Sequence, residues 1–83
     1  MILLFGCSNL AKKDMFLKSF ENFVNEVSNE CANYTDADWD EADMEYNNFV
    51  DVECPKYYKI MTDEDKSKVG QLKGRYAALQ AKR

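Results

Sequence analysis

Apolar residues recur at helical spacing in three successive stretches of the chain. In the first, Phe16, Phe20, Phe23, Val24, Val27, Cys31 and Tyr34 follow one another by steps of 4, 3, 1, 3, 4 and 3. Those steps wind them onto one stripe of an α-helix, while Lys13, Lys18, Glu21, Asn25 and Glu26 mostly point elsewhere. The spacing predicts a helix from about Leu10 to Asn33. Trp39, Ala42, Tyr46, Phe49, Val50, Tyr57 and Ile60 form a second stripe, and Val69, Leu72, Tyr76 and Leu79 a third, on a helix from about Asp63 to Ala81. Thr35 with Asp38, and Thr62 with Asp65, repeat a Thr-x-x-Asp pattern that caps a helix N-terminus from both sides, with Asp in the place where Glu or Gln is usual. Lys82 and Arg83 complement the dipole at the far end of the last helix.

Pro55 falls inside the second pattern. It lacks the N–H that a helix interior needs and its ring crowds the preceding turn, so a kink near Cys54 is expected. Glu53 lies on the apolar stripe next to it, and the kink is expected to turn this carboxylate toward water. Two short connections make neighbouring helices antiparallel. The predicted fold is therefore all-α, an antiparallel three-helix bundle whose second helix is kinked near Pro55, with residues 10–83 as the domain and residues 1–9 in front of it. Its aromatic residues are expected to fill the core, with phenol and indole groups reaching the rim.

Composition agrees with one small helical domain. The chain has 83 residues, 46% hydrophobic and 31% charged, a balance that folds rather than staying disordered. Three Gly and one Pro are too few for a turn-rich β-sandwich. There is no histidine, which removes the commonest acid/base group and metal ligand and every Ser/His or Cys/His nucleophile pair. The net charge of −4 divides into −1 over residues 1–35, −8 over residues 36–54 and +5 over residues 55–83. Blocks of opposite sign on adjacent elements neutralise each other within so small a fold. An acidic total with one basic helix argues against nucleic acid as a partner.

Asp36, Asp38 and Asp40 imitate the opening of a calcium loop, but Glu41 stands where the sharp turn needs Gly and Asn47 where a bidentate Glu is needed. They read as capping and solvated residues, so no metal site and no cofactor are expected. Nothing here argues for a catalytic residue or a small-molecule substrate, and the chain reads as a non-enzyme. Cys31 and Cys54 fall at levels of the bundle more than ~20 Å apart, too far for a disulfide, and are expected to be free thiols. On the third helix Gly70, Gly74, Ala77 and Ala81 form a small-residue stripe about 150° from the apolar one. Two glycines in a helix interior weaken it, so this stripe is a candidate interaction face for a protein partner or a second copy, the plainer reading being an outward face.

The start of the chain resembles a processing signal. Leu4-Phe5-Gly6-Cys7-Ser8 follows the apolar run Met1-Ile2-Leu3 and resembles a bacterial lipobox, whose cysteine is acylated. Phe5 is bulkier than usual there, and a working signal peptide has a basic start and about 7 to 15 apolar residues, which this segment lacks. Cys7 is the expected lipidation site, with the domain hung from a membrane rather than crossing it; the alternative is that Met1 to Phe5 extend the first helix or cap the end of the bundle. Tyr34-Thr-Asp-Ala-Asp-Trp39-Asp-Glu-Ala-Asp and Met61-Thr-Asp-Glu-Asp-Lys66, continuing through Gly70-Gln-Leu-Lys-Gly74-Arg-Tyr76 to Leu79, are similar to stretches of small uncharacterised helical lipoproteins of Bacteroidetes. The resemblance covers about Ala11 to Lys82. It implies the helical architecture and an anchored address on the periplasmic side of the cell envelope or at the outer membrane, and no activity. The resulting expectation is a lipid-anchored helical domain that binds a protein or itself. The alternative is a cytoplasmic helical adaptor with no lipid.

Overall fold

The computed structural model describes the backbone of residues 2–83 and the side chains of residues 9–83. It is all-helical, with three helical arms and no strand among the described residues. The first arm is α1, Ile2–Glu30, followed by a 3₁₀ turn at Cys31–Asn33. The second joins α2, Asp36–Asn47, to a π-helical turn at Asn48–Glu53, then α3, Cys54–Tyr57, and a 3₁₀ turn at Tyr58–Ile60. The third arm is α4, Asp63–Gln80.

Both expected caps form. Thr35 Oγ1 accepts the Asp38 N–H at 3.2 Å while Asp38 Oδ2 accepts the Thr35 N–H at 3.0 Å. Thr62 and Asp65 repeat the exchange at 3.1 and 3.0 Å. Each pair satisfies two backbone donors that a helix start would leave open, and so places α2 and α4 at fixed residues.

The three stripes meet in one interior. Phe16, Phe20, Phe23, Val24 and Val27 of α1 lie against Trp39 and Ala42 of α2 and Val69, Leu72, Tyr76 and Leu79 of α4. Rings meet between arms: Phe49 stacks on Phe20 at 5.1 Å, while Tyr57 lies tilted on Phe16 at 5.8 Å and Phe23 tilted on Tyr76 at 5.6 Å. Residue numbers fall along the second arm as they rise along α1. They rise together along α1 and α4, where Lys13 faces Asp65 and Glu21 faces Lys68. The molecule measures 47 × 23 × 20 Å, and the 29 residues of α1, about 43 Å at ~1.5 Å each, set its long axis.

Pro55 disturbs the second arm as expected, and the disturbance takes a definite form. The Cys54 N–H bonds the Phe49 carbonyl five residues back, and this wider π turn gives the proline ring room at the start of α3.

Several expectations need correction. Helix α1 starts at Ile2 rather than near Leu10, as the alternative of a first helix extended by the opening residues has it, and its α-helical part ends at Glu30. Lys13 does not point away; it is 6% exposed, because its stem lies on the core face while its ammonium reaches Asp65. Glu53 is only half-turned to water, and Lys56 holds it at 3.0 Å. Ile60 leaves the apolar stripe, 40% exposed, because the tighter 3₁₀ turn rotates it outward, and Met61, in extended backbone, is buried in its stead.

Candidate functional site

The expected lipidation site, Cys7, lies outside the residues whose side chains are described. The small-residue stripe is described and faces outward: Gly70, Gly74, Ala77 and Ala81 are all exposed. A Cβ added at Gly70 or Gly74 would meet nothing within 4 Å, so no close approach inside the chain requires either glycine.

The structure also assembles a cluster that the sequence pattern did not reveal. Trp39, Asp43 and Tyr46 stand at i, i+4 and i+7 on α2, and Tyr76, Gln80 and Arg83 at the same intervals along α4 and its last turn. The two ladders cross in opposite senses. Tyr46 stacks on Tyr76 at 4.1 Å and 10° between ring planes. Asp43 Oδ1 accepts the Tyr76 hydroxyl and the Gln80 amide, both at 2.7 Å, and its Oδ2 accepts from Arg83 at 3.3 Å. Arg83 in turn lies over the Trp39 ring at 5.4 Å.

The electrostatics of this cluster follow from its donors. Burial works to raise the Asp43 pKa, but the hydrogen bonds from Tyr76 and Gln80, with the Arg83 charge, outweigh it and hold the carboxyl below its ordinary range. Tyr76 moves the opposite way: burial, then the bond to Asp43, pushes its phenol far above the ordinary value. A carboxylate that accepts three donors from α4 and its last turn ties that helix to α2. Trp39 and Tyr76 were legible as core residues; Asp43 was hidden among eight acids between residues 36 and 54. Its spacing of four from Trp39 was the available signal.

A second carboxylate fastens the other end. Asp65 Oδ2 accepts the Thr62 N–H of its own cap at 3.0 Å and the Lys13 ammonium at 2.6 Å. The Lys13 bond, then the Thr62 backbone bond, lowers the Asp65 pKa, and the same Asp65 bond raises that of Lys13 against the effect of desolvation. Beside this end, Phe16, Phe49, Tyr57, Met15, Lys12 and Glu53 line an open groove of about 420 Å³.

Cys31 and Cys54 are half-buried free thiols. Burial pushes the Cys54 thiol up, with Lys73 opposing it, which makes Cys54 a poor nucleophile at neutral pH. Asp38 serves as cap, and among the described residues no group of carboxylates and thiols is arranged to hold a metal ion. No helix among them is long and apolar enough to cross a membrane.

A family model described as a domain of unknown function, DUF6565, matches residues 27–83, two thirds of the chain. The chain belongs to the DUF6565 family. The match spans both Thr-x-x-Asp caps and the whole Asp43 cluster, while most of α1 lies in front of it. It therefore starts later than the Ala11–Lys82 stretch that the motifs marked out. No curated protein and no solved structure matches the chain significantly. The DUF6565 match fixes kinship and brings no activity with it.

Proposed function

We propose that the chain is a non-catalytic, lipid-anchored domain of the bacterial cell envelope, an antiparallel three-helix bundle held at a membrane through Cys7 on its periplasmic side. Its role is to present a helix face to a protein partner or to a second copy. The observation that carries this reading is the Leu4-Phe5-Gly6-Cys7-Ser8 signal behind an apolar start. Cys7 lies on α1, so an acyl group there would hold the domain by one end.

The test is intact-mass analysis of the native product together with cell fractionation. A diacylglycerol adduct on Cys7, and release of the protein from membranes by Cys7→Ala, are the expected results. An unmodified Cys7 in a soluble cytosolic product would replace this reading with the cytoplasmic adaptor.

A further inference from the structure

Exposed apolar side chains are distributed unevenly over the bundle. Six large ones are exposed among the described residues, and four of them, Leu10 at 51%, Met15 at 67%, Tyr58 at 54% and Ile60 at 40%, belong to the end where α1 enters. That end is fixed by the Lys13–Asp65 pair and the Phe16–Tyr57 ring contact, which bring the 3₁₀ turn at Tyr58–Ile60 beside the first turns of the bundle part of α1. Leu10 lies about one turn beyond Lys13 on α1, so it caps the same end.

Charge is divided along the same axis. Residues 12–21 and 53–68, which make up this end, hold seven lysines against six acids and carry +1. The remainder holds four bases against nine acids and carries −5, more than the whole net charge of the chain. Lys12, Lys18, Lys59 and Lys66 form no ion pair among the described residues. Lys66 sits over the Tyr58 ring at 4.7 Å, an aromatic and an ammonium side by side at the tip. Asp63 and Glu64 at the same end also form no ion pair among the described residues, so the excess of positive charge is small; apolar side chains with unpaired lysines and a tyrosine among them are still a side-chain set that settles at a lipid headgroup boundary.

We propose that the end of the bundle bearing Leu10, Met15, Tyr58 and Ile60, with Lys12, Lys59 and Lys66, rests on an anionic phospholipid surface, so that the acidic end of the domain faces away from the membrane. The orientation deepens the anchored reading and rests on it for the presence of a membrane. Its two arguments, however, are the apolar patch and the charge complementarity, both independent of acylation. The acidic end, repelled by the same surface, contributes to the alignment.

The experiment uses the full chain carrying Cys7→Ala, so that no acyl group contributes, in flotation with vesicles of phosphatidylcholine alone or mixed with phosphatidylglycerol. The expected result is stronger binding to the mixed vesicles, weakened by salt. Lys12→Glu with Lys59→Glu should lower the bound fraction about tenfold or more, since each lysine near such a surface contributes about fivefold. Met15→Glu with Ile60→Glu, also at exposed positions, should do likewise. Met44→Glu with Val52→Glu, the two exposed apolar residues of the remaining surface, should leave binding unchanged. Equal binding to both vesicle types, equal loss in all three pairs, or no binding at all overturns the proposal, the last outcome leaving the apolar tip to a protein partner. An acylated native Cys7 with no preference for anionic vesicles sinks this orientation alone, whereas an unmodified Cys7 with the preference intact sinks the anchored reading alone.

Discussion

The contact between α1 and α4 and the contact made by the second arm are built to different standards. The wholly buried residues, Phe20, Val24 and Tyr76, belong to α1 and α4, with Val27 and Leu72 nearly so, and Phe20 and Tyr76 also take rings of the second arm. Along the second arm only Trp39 and Ala42 are buried, and every residue from Tyr46 to Ile60 is half-buried or exposed. The difference follows from continuity. Helices α1 and α4 run without a break, so their stripes interlock turn after turn. The second arm passes through a π turn, a proline and a 3₁₀ turn, and each changes the rotation per residue, so Tyr46, Phe49 and Tyr57 reach the α1 rings from an arm that stays half-exposed. Local opening is therefore expected to begin between Asn48 and Ile60.

The largest effects should fall on the dry side of this comparison. Phe20→Ala is expected to cost about 3–5 kcal/mol, a large share of the ~4–12 kcal/mol that a domain of this size holds. Tyr57→Ala, which removes a ring of similar size from the half-buried side, should cost clearly less. Urea denaturation followed by helical circular dichroism measures both. Equal losses would mean that the second arm is as tightly bound as the other two.

How much of this was legible in the sequence divides along the same line. The stripes of α1 and α4 were readable because an unbroken helix keeps a constant angle per residue, and Val69, Leu72, Tyr76 and Leu79 are all buried. The Thr-x-x-Asp caps were readable because they are local. Ile60 was misplaced because periodicity carries a helix angle through a segment that no longer has it. Lys13 was misplaced because its partner, Asp65, lies 52 residues away, and residue type alone assigns lysine to the surface. Asp43 was missed for the same reason: its place one turn after Trp39 puts it on the inner face of α2, but Tyr76, Gln80 and Arg83, which it accepts from, lie 33 to 40 residues away. Contacts within a helix turn are printed in the chain, while ties between helices are known only once the helices are placed.

Asp43 sharpens the comparison, because it holds the buried Tyr76 of α4 to the less buried arm. Tyr76→Phe removes a hydroxyl and little volume, and should cost about 1–3 kcal/mol for one bond to a charged acceptor. The pH dependence follows from the direction of the shifts. Asp43 and Asp65 both titrate below the ordinary 3.8 when folded, so the stability they supply is complete above that value and is lost as pH falls through the lower, folded pKa. Asp43→Asn should therefore be less stable than the parent at neutral pH, with the gap closing as the solution is acidified below about pH 4. Melting curves at neutral and acidic pH decide this, and a gap that stays constant would show that Asp43 acts through shape rather than charge.

The smallest effect concerns the outward face of α4. Glycine in a helix interior is less favourable than alanine by about 0.5–1 kcal/mol, and here neither Gly70 nor Gly74 has a neighbour that a methyl group would strike. Gly70→Ala and Gly74→Ala should each stabilise the isolated chain by up to about that amount, chiefly by restricting the unfolded state. Thermal melts of the single and double variants measure the gain. Sedimentation of the same proteins then separates two uses of the face. If the glycines admit the backbone of a second copy, the double variant dissociates that assembly while its protomer melts higher, because a methyl group harmless to the fold blocks the approach. If the assembly state is the same before and after substitution, Gly70 and Gly74 are a weakness that the outward face of α4 tolerates, and a partner helix must be sought on another surface.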